Sequence, residues 1–373
     1  MTAFRADHAG SLLRPEPLLE ARRRLDAGTI TADELRAVED EAIAAAVKRQ
    51  LSAGIDVVTD GEFRRRDFRT GFVEAVDGLE MRTWDMPWHT SEGVTKLRSH
   101  TWAVTGRLRP RGRLAAGEAA YVRGLTSAPD KVTLIAPGFL ADRFWQDGVT
   151  DQVYSSREEL AAEVAAITRA EIEALSAEGV RYIPLDTPGY GRFVGAHAQG
   201  SADAFELMVT TDAAVSGAER PEGVTIGLHV CRGNQASMRM SEGGYQPIAE
   251  RLFTAVPVDR FLLEYDDDRS GGFEPLRFVP EGTTVVLGLV SSKTPVLESP
   301  DELRQRIEEA AKFVDLGNLA LSPQCGFASV AEGGNRLTED EQFAKLRLVA
   351  DTARATWGGD HADSRAIRKE GER

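Results

Sequence analysis

The sequence reads as an α/β chain that closes into a (β/α)8 barrel of the TIM type, and three observations carry that reading. Strand-like apolar runs alternate with helix-like periodic runs along most of the 373 residues, the pattern of βα units around a parallel sheet. Eight such runs fit barrel strands, and no Gly-x-Gly-x-x-Gly turn follows an early strand, as an open dinucleotide-binding sheet would require. No Pro/Gly-rich linker divides the chain, so residues 1–357 are expected to form a single barrel domain of a size that α/β barrels reach.

Taken in order, a first short strand fits Ala9 to Leu13. Thr31-Ala32-Asp33-Glu34 then opens a helix with a capping Thr and an acidic first turn, and Gly54 closes it. The second strand is Ile55 to Thr59, followed by Asp60-Gly61-Glu62. Residues from about 80 to 115, rich in Trp, Gly and Arg, include an extended run, Ser99 to Arg107, with no crossover helix before it. They read as a hairpin excursion over the barrel mouth. Later strands fit Val132 to Ala136, Tyr182 to Asp186, Thr225 to Val230, Phe261 to Glu264, Thr284 to Leu289 and Asn318 to Ser322. Helices fit Arg157 to Ala177, Ser201 to Val215, Gln246 to Ala255, Pro300 to Val314 and Glu339 to Thr356. Residues 358–373 are polar, lack apolar periodicity and read as a frayed C-terminal tail.

Composition narrows the function classes. An apolar fraction of 42% supports a large core. A net charge of −14 without any Lys/Arg block argues against nucleic acid, because affinity for it rests on neutralising phosphates. No run approaches the roughly 18 apolar residues that span a bilayer, and the first residues lack a signal-peptide core, so neither a membrane partner nor export is expected. A cytoplasmic enzyme acting on small molecules is the expectation, with a homo-oligomer possible. The two cysteines, Cys231 and Cys325, lie too far apart in sequence to suggest a structural disulfide in a reducing compartment.

Barrel enzymes gather their reactive groups at the C-terminal ends of the strands. Those positions hold Asp60 and Glu62, Asp186, His229 and Cys231, Glu264 and Cys325. In Gly227-Leu228-His229-Val230-Cys231, the His and Cys are two apart in a strand and project to one side. Imidazole, thiolate and carboxylate are the ligands zinc takes in tetrahedral sites, and thiolates favour zinc over magnesium or calcium. Read from spacing, the set is either a zinc site or two buried thiols beside a solvated acidic loop that runs from Glu264 to Asp268. Glu62 likewise reads as a loop acid or a ligand-binding group, and Asp186 as a helix cap or a ligand-binding group.

These strings resemble the catalytic domain of cobalamin-independent methionine synthase and its single-domain relatives, a group within a barrel superfamily that also contains uroporphyrinogen decarboxylase. The resemblance runs from Gly10-Ser11 to Cys325-Gly326. It implies zinc held by His229, Cys231, Glu264 and Cys325, residues that would also be catalytic by presenting a substrate thiol as thiolate. It further implies that Glu62 and Asp186 clamp a substrate ammonium and that the backbone at Gly10 and Ser11 receives the carboxylate. The thiol would be homocysteine, giving methionine, and the donor 5-methyltetrahydrofolate or another methyl donor.

The chain departs from the family pattern in three places. Val290-Ser291-Ser292-Lys293-Thr294-Pro295 places Lys293 at or near the family's catalytic His, Asp186 is followed by Thr187 rather than Glu, and the folate-side string reads Leu134-Ile135-Ala136-Pro137-Gly138. These changes bear on the donor more than on thiolate chemistry. Alternatives are alkyl transfer to another thiol, such as epoxide opening by coenzyme M, and a non-catalytic zinc- or tetrapyrrole-binding barrel. For an anionic thiol, Arg232, Lys293 or Arg64 could supply a cation or could be solvated surface charge. Phe144, Trp145 and Trp102 could stack on a pterin or pack in the core or lid.

Overall fold

The computed structural model describes residues 4–358, apart from 91–92, 195–199, 235–236, 329 and 332–334. From 359 onward, the expected polar tail lies outside the described residues. A long antiparallel hairpin comes first among the strands, β1 (Val76–Thr90) paired with β2 (Gly93–Pro110). It contains the extended Ser99 to Arg107 run. Six parallel strands follow in spatial order: β3 (Leu134–Ile135), β4 (Tyr182–Thr187), β5 (Thr225–Val230), β6 (Arg260–Glu264), β7 (Thr284–Val290) and β8 (Leu319–Pro323).

Two extended segments complete the ring. Asp7 N–H donates to the Leu321 carbonyl at 2.9 Å and Leu321 N–H to the Arg5 carbonyl at 2.8 Å, so residues 5–7 lie parallel to β8. Asp56 N–H reaches the Ala6 carbonyl at 3.1 Å, Lys131 N–H the Val58 carbonyl at 3.1 Å, and Val132 N–H the Tyr182 carbonyl at 3.2 Å. The barrel is therefore closed, with sparse ladders at its first two positions.

This corrects the expected first strand. It lies at residues 5–7, and Ala9 to Leu13 instead crosses the barrel mouth, with Gly10 at φ 138° breaking the extended run and Leu12 N–H bonded to the Gly61 carbonyl. The strand position is held by Asp7, whose buried carboxylate must meet the cations inside the barrel. Lys131 Nζ lies 2.5 Å from Asp7 Oδ1, Arg260 is 3.5 Å from Oδ2, and the Tyr182 hydroxyl donates to Oδ2 at 2.9 Å. Above this polar plug, Leu262, Val286 and Ala320 stand in register on β6, β7 and β8 and form an apolar layer.

The helices pack outside. α1 (Glu16–Asp26) precedes α2 (Ala32–Ala53), which has the reciprocal Thr31–Glu34 capping box and Gly54 at φ 86°. α1 escapes the sequence pattern because its inner face carries Arg22, which is buried and donates to the backbone carbonyls of Phe63 and Arg65. After α3 (Thr70–Ala75) come two further short helices absent from the sequence expectation, α4 (Glu118–Leu125) and α5 (Pro137–Arg143). The expected helices appear as α6 (Arg157–Ala177), α7 (Ala202–Ser216), α8 (Gln246–Ala255), α9 (Pro300–Ala310) and α10 (Glu339–Trp357). Among the described residues, no helix is long and apolar enough to cross a membrane.

Candidate metal and substrate site

His229 and Cys231 leave the end of β5 on the same side, Glu264 ends β6, and Cys325 lies just past β8. Barrel closure brings one donor atom from each to within 4.8 Å of all the others, and all four residues are buried. Both cysteines are free thiols, with their sulfurs 3.3 Å apart.

The surroundings favour a cation. Neither ring nitrogen of buried His229 has a hydrogen-bond partner among the described residues, and burial with the nearby Lys131 charge pushes its pKa down to about 3. A neutral imidazole without partners forfeits the stabilisation that buried polar groups normally recover, and coordination to a cation would restore it. The hydrogen bond between the thiols and their burial push the Cys231 thiol well up. For Cys325, the bond from Cys231 acts downward but is outweighed by burial and the carboxylates of Glu264 and Asp186. Burial also raises Glu264 against the pull of Lys293.

Two backbone amides orient the donors: Gly233 N–H points at Cys231 Sγ (3.2 Å) and Arg232 N–H at Glu264 Oε1 (2.8 Å). One nitrogen, two sulfurs and one carboxylate oxygen form a donor set that fits a tetrahedral zinc ion. Lys293 Nζ is 3.7 Å from Glu264 Oε2; burial depresses this ammonium, but Glu264 and Asp266 more than compensate and its pKa is raised.

The substrate residues expected from the sequence lie near this donor set. Asp186 stands in register with His229 on the neighbouring strand, and its Oδ1 is buried without a partner among the described residues. Burial, then the charges of Glu62 and Glu264, push its pKa up to about 8. Glu62 sits at φ 57°, a left-handed conformation that costs a side-chain-bearing residue on the order of 1 kcal/mol. It is held there by Glu62 N–H to Asp60 Oδ1 (2.8 Å) and by Arg14, which donates to the Glu62 carbonyl at 2.8 Å. Gly10 faces it so closely that an added Cβ would lie 3.1 Å from Glu62 Oε1. The Ser11 carbonyl accepts from Phe327 N–H at 3.0 Å, and the Ser11 hydroxyl packs on Gly326, beside Cys325.

Other candidates from the sequence face elsewhere. Arg64 pairs with Asp40 and lies over Tyr121, while Arg232 lies over Tyr245 and donates to the Gly243 carbonyl. Phe144 is a core residue against Phe72, Trp102 packs partly buried on the core, and Trp145 donates to Asp147 beneath Arg157. The sequence reading missed Arg65, which donates two hydrogen bonds to Glu118 and lies 3.8 Å from Glu62, and the loop residues Asn234, Ser292 and Gln324. Apart from the Arg65–Glu62 contact, their partners are remote in sequence, so no local spacing signals them.

A closed βα barrel whose mouth combines two thiols, an imidazole and carboxylates is the scaffold of a group-transfer enzyme, and similarity to known proteins narrows the class. The family described as "Cobalamin-independent synthase, Catalytic domain" matches residues 9–355, and the chain belongs to it. Its enzymes are methyltransferases of the cobalamin-independent methionine synthase type. The chain is 40% identical to the uncharacterized protein YxjH of Bacillus subtilis over 367 residues, covering 95% of each. It is 26% identical to the methionine synthase of Thermococcus kodakarensis, over 85% of this chain and 84% of that one. The solved structure of the putative vitamin-B12 independent methionine synthase from Listeria monocytogenes superposes with a TM-score of 0.75 at 30% identity, covering 95% of this chain and 98% of that one.

Proposed function

We propose that this chain is a zinc-dependent methyltransferase that methylates a substrate thiol, with homocysteine as acceptor and methionine as product. The observation that carries the reading is the buried convergence of His229, Cys231, Glu264 and Cys325, with both His229 nitrogens unpartnered among the described residues. These four residues would hold the ion. Bound zinc supplies the means of keeping a substrate thiol ionised near neutral pH, where a free thiol is mostly protonated.

The remaining residues bind and orient. Asp186 and Glu62 offer two carboxylates that burial makes costly to ionise alone, so an incoming ammonium gains both charge pairing and relief of that cost. An amino-acid thiol fits this better than a thiol that carries only an anionic group. The carboxylate of such a substrate would lie along the Gly10–Ser11 backbone. Lys293 balances the Glu264 charge and keeps a cation beside the donor set. The donor is a small methyl carrier, 5-methyltetrahydrofolate or another, read by the mouth loops.

The test is a thiol-by-donor activity panel on zinc-loaded protein together with metal analysis. About one zinc per chain and methionine formation from homocysteine are expected, and Cys325→Ser should lose zinc and activity together. Full activity in a zinc-free preparation, or in Cys325→Ser, would overturn the reading.

A further inference from the structure

The two thiols meet across the barrel mouth, yet the strands that lead to them are not neighbours. Between β5 and β8 lie β6 and β7, so no ladder hydrogen bond fixes Cys231 relative to Cys325. Barrel closure brings the two segments together, and contacts between their loops add the direct link. Asn234, in the loop that carries Cys231, donates through Nδ2 to the Gly326 carbonyl at 2.6 Å and to Ser292 Oγ at 3.1 Å. A carbonyl can only accept, so the amide nitrogen must face Gly326.

Ser292, in the β7 loop, donates through Oγ to the same Gly326 carbonyl at 3.2 Å, and its N–H donates to Gln324 Oε1 at 2.5 Å. Cys325 is thus gripped on both sides, through the Gln324 side chain and through the Gly326 carbonyl. The next residue along from Ser292 is Lys293, beside Glu264. Asn234, Ser292 and Gln324 are all buried, so these bonds are sheltered from water.

We propose that Asn234 and Ser292 are positioning residues that tie the two cysteine-bearing loops together across the barrel mouth and hold the thiols at metal-binding separation. The inference rests on the zinc reading above. Hydrogen-bond partners that orient metal ligands typically change affinity about 10–100-fold when removed. Without the tie, the metal would have to order the loops as it binds.

The experiment measures zinc affinity by competition with a chromogenic chelator, for the full chain and for Asn234→Ala and Ser292→Ala. Each is paired with the thermal midpoint of the metal-free protein and the charge-transfer absorption of the cobalt(II)-substituted protein. Asn234→Ala should weaken zinc about 10–100-fold and alter the cobalt–thiolate band, with the metal-free midpoint moving much less than affinity does. Ser292→Ala should act in the same direction more weakly. The two losses should be non-additive in the double variant, because both side chains bind one carbonyl. Zinc affinity and cobalt spectrum unchanged in both variants would overturn the inference while leaving the zinc site standing. If Asn234→Ala does not fold, Ser292→Ala decides alone. Failure of the unsubstituted chain to bind zinc would overturn the zinc reading and this inference with it.

Discussion

Asp186 shows how one buried atom connects geometry to substrate choice. Its Oδ1 has no partner among the described residues, and burial with neighbouring negative charge lifts its pKa to about 8, so a cation brought alongside would favour its ionised form. Asp186→Asn keeps the shape and removes the charge. The expected outcome is a KM for homocysteine raised at least about tenfold, equivalent to roughly 1.4 kcal/mol, with zinc content unchanged. A thiol lacking an ammonium should show little difference between the two proteins in the same steady-state assay. The candidate metal ligands were legible in the sequence through their joint placement at strand ends and their match to strings of the resembled family, not through His-x-Cys spacing alone. Asn234 was not, since an Asn after a Gly reads equally well as an ordinary turn.

Strands and helices fix where those residues stand, and two positions show it. Gly288 on β7 has no room for a side chain: an added Cβ would lie 2.6 Å from Gln324 Cα and 2.8 Å from the Leu263 carbonyl, backbone atoms on both flanks. Gly288→Ala should therefore push apart the segments that carry Glu264 and Cys325. A stability loss of about 1–3 kcal/mol is expected by thermal unfolding, accompanied by weaker zinc binding in chelator competition. Asp212 on α7 anchors the helix through the Tyr190 hydroxyl and Gly138 N–H, each at 2.7 Å. Burial raises its pKa to about 7, above the value in an unfolded chain.

The folded state therefore holds a proton at Asp212 that the unfolded state has already released between roughly pH 4 and pH 7. Its contribution to stability is greatest in acid and falls as pH rises through that window. Asp212→Asn should flatten the decline in unfolding free energy between those limits, by an amount on the order of a few kcal/mol in urea titrations at several pH values.

Closure of the barrel is a property of the whole chain, and its base rests on the Asp7–Lys131 pair, both side chains fully buried. Lys131→Met would leave the Asp7 carboxylate with Arg260 at 3.5 Å, the Tyr182 hydroxyl and the His8 N–H at 2.8 Å as its remaining polar partners among those described. A loss of about 3–5 kcal/mol is expected by urea unfolding. Replacing Asp7 as well, in Asp7→Leu with Lys131→Met, should recover part of it, because a buried carboxylate left without its main partner costs more than an apolar pair, while buried Arg260 loses its carboxylate and limits the recovery.

The alternation of apolar runs and periodic helices revealed the βα order, and the polar residues at strand ends named the metal-site candidates, since both are patterns of neighbouring residues. Three features had no such local signature. The first strand lies at residues 5–7 because Asp7 meets cations from residues 131 and 260; the Arg-rich α1 packs because backbone carbonyls from another loop receive Arg22; and the thiols converge through an Asn and a Ser on separate loops. Periodicity reports which face of an element is buried. It does not report which distant charge or carbonyl waits there, and that pairing exists only once the ring has closed.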